Sequence, residues 1–337
     1  MTATFETFDP LMHDAQVAAM LRLCESQREY GSYAEDVTNE ISIAPDLPQR
    51  YDAAANFLNT GGRFGRREDV ATLVARTNYF RETYAYDASS IDGIGPFLNH
   101  PGFIAAARKI HDRTVVVPNI VYANILVPGQ ELAVHTDVPE FRGADRHRFP
   151  QWLLVVMHHS GLFAKWRRHI ATGVAYFSPC EGGAFAFYPE GPQAAARTLP
   201  VKANTAILLD TDTVFHGVDR VAETQPLPPL VPGMKLRFEN GGWFVRDGDA
   251  TVANYTWDEV RFSVSWKAYC YASEDERTLT EQHRDDLDLD TILRPLLTDL
   301  YQRGVISSAD RPASDHDLAL TLIREYIEFP ASNAGAA

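Results

Sequence analysis

Residues 131–140 read ELAVHTDVPE. The stretch follows the turn signal VPGQ and alternates as a β-strand does, and strand positions i and i+2 share a face. Leu132, Val134, Thr136 and Val138 then face one way, and Ala133, His135 and Asp137 the other. An imidazole beside a carboxylate is either a surface pair or two thirds of a metal site, and the rest of the chain has to decide between them.

Outward from this point the texture is that of a β-rich core. VVVPNIVYANILV from Val115, then QWLLVVM, GVAYF, GGAFAFYP, NTAILLDT, TVFHGVDRV and EVRFSVSWKAYCY read as short strands between Gly/Pro turns. That density predicts an antiparallel sandwich or barrel. Two segments interrupt it. Residues 158–172 predict a short basic helix, with Lys165, Arg167, Arg168 and His169 either on a solvated face or helping to recruit an acidic substrate or close over the site. Residues 221–258 read as a long insertion opening with TQPLPPLVPG and carrying Trp243, Phe244, Tyr255 and Trp257; a lid over the site or packing against outer helices are the two expectations.

Helical spacing marks both flanks: residues 9–28, with Asp9–Pro10 as cap and first position, then 67–80 and 92–111. Beyond residue 275, apolar faces are built from Ile292, Leu293, Leu296, Leu297 and Leu300, and from Leu318, Leu322, Ile323 and Tyr326. The expected organisation is a mainly helical region 1–114, a β-core 115–272 with the insertion 221–258, and a helical region 273–337. The fold class is α+β with a mainly β core.

At 337 residues, 45% hydrophobic and 23% charged, the chain has ample side chains for a sizeable core. Its net charge of −14 argues against a nucleic-acid or anionic-membrane partner. Cys24, Cys180 and Cys270 are far apart and show no ligand spacing. Reduced thiols, no leader pattern and no membrane-spanning apolar run make a cytoplasmic location the expectation.

His216, in TVFHGVDRV, is on its own more often a structural histidine. EVRFSVSWK adds weight, because Val260, Phe262, Val264 and Trp266 alternate with Arg261, Ser263, Ser265 and Lys267. A cationic, hydroxyl-rich face opposite an apolar one suits a barrel strand meeting an anion, and the planar arginine fork matches a carboxylate bidentately.

Taken in order, His135-Thr-Asp137, His216 and Arg261-Phe-Ser263 resemble the HxD…H…RxS pattern of the Fe(II)/2-oxoglutarate dioxygenases, prolyl-hydroxylase-like members above all. VPGQELAVHTD, EGGAFAFYPEG and VKANTAILLDTDTVFHGV extend the resemblance over roughly residues 115–272. It implies a double-stranded β-helix, a jelly-roll or cupin-like barrel. It also implies His135, Asp137 and His216 as ligands of a two-histidine, one-carboxylate Fe(II) site, Arg261 with Ser263 as the clamp for the far carboxylate of 2-oxoglutarate, and Asn124 as a further cosubstrate contact. Lys267 falls where some members carry a second basic residue. Leu126 departs from the pattern, standing where many members have a cosubstrate-binding tyrosine, so that Tyr122 or another group is expected to substitute.

The implied activity is O2-dependent hydroxylation of a small metabolite, an amino acid or biosynthetic intermediate, with release of succinate and CO2. The alternatives are the same chemistry on a protein side chain, or a cupin-like metal-binding protein. Alanine at His135 or Asp137 is expected to abolish turnover and leave the fold largely intact.

Overall fold

A computed structural model of the protein describes residues 4–27, 29–33, 39–86 and 89–331. Eight strands make the barrel: β1 (Val115–Leu126), β2 (Leu132–His135), β3 (Arg167–Tyr176), β4 (Phe185–Phe187), β5 (Arg197–Leu199), β6 (Thr205–Leu209), β7 (His216–Val218) and β8 (Arg261–Tyr271). One sheet runs β6-β3-β8-β1 and the other β5-β4-β7-β2. All neighbours are antiparallel. The chain alternates between the sheets, with only β4 and β5 consecutive in one of them. That winding is a double-stranded β-helix.

The alternation in β8 is realised as predicted. Arg261, Ser263, Ser265 and Lys267 line the barrel cavity, while Phe262, Val264, Trp266 and Ala268 join the apolar core on the other face. There the helix Pro101–His111 lies across the sheet: Phe103 meets Trp266 at 5.3 Å between ring centroids, and Trp266 Nε1 donates to Leu98 O at 2.6 Å. Burial of each such aromatic contributes roughly 1.5–3 kcal/mol. Pro118, which has no N–H, lies where β1 slips against β8: Lys267 faces Ile120 and Ala268 faces Pro118, so Asn119 is the extra residue of a bulge.

The larger sheet does not stop at the barrel. Phe5–Phe8 pairs outside β6, and Phe80–Tyr86 outside β1. Beyond the latter follow Glu29–Ser32, Lys235–Glu239, Gly242–Asp247 and Ala250–Tyr255. The N-terminal region is therefore not simply helical; it supplies three of these strands. Its first helix begins at Asp14, after a strand, so Asp9–Pro10 is not its cap.

Residues 221–258 are a sheet extension rather than a lid. Trp243 and Tyr255 are buried in the core on the face away from the cavity, with Trp257 packed against them, and none of the cavity-lining residues comes from this segment. QWLLVVM is helical, not extended: Gln151–Ser160 is an α-helix whose first seven residues are all buried. It is apolar on every side because it is enclosed on every side, sharing a core with Leu289–Gln302 and Asp315–Tyr326. The basic run 165–169 likewise is no helix face. Arg167, Arg168 and His169 open β3, where Arg167 pairs with Asp210 at 2.7 Å and Arg168 with Glu140 at 2.7 Å.

Candidate metal centre and anion clamp

β2 and β7 place His135 directly opposite His216, with ring centroids 4.5 Å apart. Each ring is oriented by its own backbone. His135 Nδ1 lies 2.7 Å from Ala133 O and His216 Nδ1 2.9 Å from Val214 O. A carbonyl only accepts, so Nδ1 carries the hydrogen in both rings and each Nε2 presents a lone pair. Both lone pairs point toward Asp137, whose Oδ1 is 3.5 Å from His135 Nε2 and 3.6 Å from His216 Nε2. Just past β2, Asp137 is fixed by its backbone N–H to Thr211 O at 2.9 Å. All three ligand atoms lie within 4.8 Å of one another. Ligands about 2.1 Å from one ion would stand roughly 3.0–3.5 Å apart, so the donor set fits a divalent transition metal with little movement.

The other oxygen of the carboxylate is taken. Lys267 Nζ donates to Asp137 Oδ2 at 2.6 Å, leaving Oδ1 alone for a metal. Burial would raise the Asp137 carboxyl, but the Lys267 ammonium beside it holds it well below the carboxylate range. Burial pulls the Lys267 ammonium down, and Asp137 more than reverses that. Burial first, and then the neighbouring His216 ring, keep His135 below its ordinary value; a neutral ring is what ligation requires. The Lys267 pairing could not be read from the sequence, because strand parity put Lys267 on the right face without naming its partner.

Arg261 is 2% exposed. Its Nε donates to Gly183 O at 2.7 Å, Nη1 to Ser263 Oγ at 3.1 Å and Nη2 to Tyr176 Oη at 2.6 Å. Three of five N–H groups are thus engaged. The remaining two, one on each terminal nitrogen, have no partner among the described residues, and no carboxylate pairs with the charge. Gly183 permits this packing: at φ +60°, a Cβ on it would stand 2.8 Å from Arg261 Cδ. Ser263 Oγ passes its hydrogen to Asn124 O at 3.1 Å, so it braces the guanidinium. The Asn124 Oδ1 atom is buried without a partner.

Tyr176 was missed in the sequence, although GVAYF carries the needed parity: Arg168, Ile170, Thr172 and Val174 alternate along β3 into the cavity. Leu126 packs with Val218 and Val221, whereas Tyr122 lines the cavity. The triad, Arg261, Ser263, Asn124 and Lys267 all border this one cavity of about 770 Å³.

His158 and His159 join neither the triad nor the cavity wall. They end the buried helix, next to Thr213 Oγ1 at 3.2 Å and Thr136 Oγ1 at 3.3 Å. Burial, more than nearby positive charge, holds His158 down to about 3, His159 to about 4 and His169 to about 3. Between the ordinary value of 6.5 and those levels, the unfolded chain takes up protons that the folded protein refuses. Stability should therefore rise with pH from about 4 to about 6.5 and be lost as pH falls through that window. Thermal midpoints of the metal-free protein across this range check it; a flat profile would mean that these rings titrate while folded.

No protein-family model matches the chain, and no curated protein matches it by sequence. Among solved structures it is similar to a prolyl-4-hydroxylase from Pseudomonas putida, at 10% identity over 81% of this chain and 94% of that one, with a TM-score of 0.39. It is similar to the non-haem alpha-ketoglutarate-dependent epimerase SnoN of nogalamycin biosynthesis, at 11% identity over 79% of this chain and 78% of that one, TM-score 0.40. HygX from Streptomyces hygroscopicus, solved with nickel, 2-oxoglutarate and hygromycin B, is similar at 10% identity over 82% and 90%, TM-score 0.39.

Proposed function

We propose that the protein is a non-haem Fe(II)- and 2-oxoglutarate-dependent oxygenase that hydroxylates a C–H bond of a small metabolite and releases succinate and CO2. One observation carries the reading: a single cavity holds both a one-sided set of two imidazole nitrogens and a carboxylate oxygen, and a buried guanidinium with no acid beside it among the described residues. A buried charge without a counter-ion is costly. The pairing makes sense where a bound anion completes it.

His135, Asp137 and His216 would hold the iron. Bound there, Fe(II) with 2-oxoglutarate and O2 supplies the oxidising power, which no side chain of the chain possesses. The two free N–H groups of Arg261 receive the far carboxylate of the cosubstrate, with Ser263 and Tyr176 keeping the fork aimed. Lys267 holds Asp137 by its outer oxygen, so that the carboxylate presents one atom and coordination positions stay open. The cavity has the volume of a small-ligand site, which supports a metabolite over a folded protein as substrate.

The test is direct. Under anaerobic conditions Fe(II) plus 2-oxoglutarate should produce a visible charge-transfer band that neither gives alone, and admitting O2 should release succinate. Absence of metal-dependent 2-oxoglutarate binding would overturn the proposal.

A further inference from the structure

The row of residues that runs across the large sheet at the clamp continues beyond the barrel. Tyr176 on β3 faces Ser263 on β8, Ser263 faces Asn124 on β1, and Asn124 faces Arg81 on the strand Phe80–Tyr86. Strand neighbours in register share a face, and Arg81 lines the same cavity as Ser263 and Asn124. Its guanidinium lies over the Tyr122 ring at 4.0 Å and the Tyr33 ring at 5.1 Å. No hydrogen bond or carboxylate engages it among the described residues. The next strand offers Gly31 opposite Arg81, and a Cβ there would meet nothing within 4 Å.

We propose that Arg81, held against Tyr122 and Tyr33, is the receptor for a carboxylate of the substrate, so that this oxygenase acts on a small carboxylic acid. The inference rests on the oxygenase reading and adds the substrate class to it. Aromatic faces hold a guanidinium by stacking while leaving its N–H edge free, and that edge matches a carboxylate bidentately. The second support is charge. With the iron ligated and the 2-oxoglutarate dianion clamped, Lys267 and Arg81 leave the cavity floor positive, and an anionic substrate answers that surplus. Arg81 lies two strands from Ser263, about 10 Å at ordinary strand spacing, which separates its ligand from the carboxylate at Arg261.

The experiment uses full-length protein saturated first with Co(II) and then with 2-oxoglutarate, each binding step being measured. Failure of either step counts against the oxygenase reading, not against Arg81. A panel of amino acids and short aliphatic acids, each matched with its primary amide, is then screened by thermal shift and titrated by calorimetry. At least one acid should bind tenfold or more tightly than its amide. Arg81→Gln should weaken that acid at least tenfold with 2-oxoglutarate affinity within twofold of wild type, and Arg81→Lys should restore part of the loss. The proposal is overturned if no acid outperforms its amide, if Arg81→Gln leaves the acid's affinity unchanged, or if the variant loses 2-oxoglutarate instead, which would place Arg81 on the cosubstrate.

Discussion

Asp137→Ala should both abolish metal binding and destabilise the metal-free fold, by about 3 kcal/mol. The sequence alone predicts lost turnover with a largely intact fold. The destabilisation follows from Lys267, whose side chain is only 13% exposed and is ion-paired to Asp137 Oδ2; removing one member of a buried pair leaves the other uncompensated, at roughly 3–5 kcal/mol in comparable cases, and the low end applies here because both partners border the cavity and a lysine can shed its proton. His216→Ala removes a ligand and strands no charge, so it should lose metal as completely with a smaller stability change. Co(II) titration and urea denaturation in chelator separate the two effects. Adding Lys267→Met to Asp137→Ala should recover most of the stability and none of the metal. Equal denaturation midpoints for Asp137→Ala and His216→Ala would mean that the lysine is not held by this pair.

Arg261→Met should raise the 2-oxoglutarate requirement by about thirtyfold or more, since truncating one side of a buried charged hydrogen-bonded pair costs about 2–5 kcal/mol and each 1.4 kcal/mol is about tenfold. The unliganded protein should behave otherwise. Methionine fills much of the same volume without an unpaired charge, so metal-free stability should stay within about 1 kcal/mol of wild type despite three lost hydrogen bonds. Wild-type protein should gain thermal stability as 2-oxoglutarate is added with metal, and the variant should not. Unchanged cosubstrate affinity in Arg261→Met would remove Arg261 from the clamp.

Period-2 alternation made the barrel legible, because strands with one face on a cavity and one on a core must alternate. It exposed the faces bearing His135 with Asp137 and Arg261 with Ser263, and chain order pointed to His216. QWLLVVM was misread because a uniformly apolar run has no period, and buried helix and buried strand then look alike. The 221–258 segment contains strand-like alternation, but its partner is Glu29–Ser32, some two hundred residues earlier in the chain, and pairing over that distance leaves no local trace. Lys267 with Asp137, and Arg81 with Asn124, were hidden for the same reason: parity assigns a face, while only register assigns a neighbour.

Register also has a consequence for selectivity. Ser263, Asn124 and Arg81 stand on adjacent strands of one hydrogen-bonded sheet, so the gap between the two guanidinium anchors is set by interstrand spacing, which side-chain motion hardly alters. Such a fixed caliper would measure a substrate from its acid end and bring a carbon at one set distance beneath the oxidant. Homologous acids differing by a methylene would then be attacked at the same distance from the carboxylate rather than at the same distance from the tail, and the positional identity of the product would report the width of two strands.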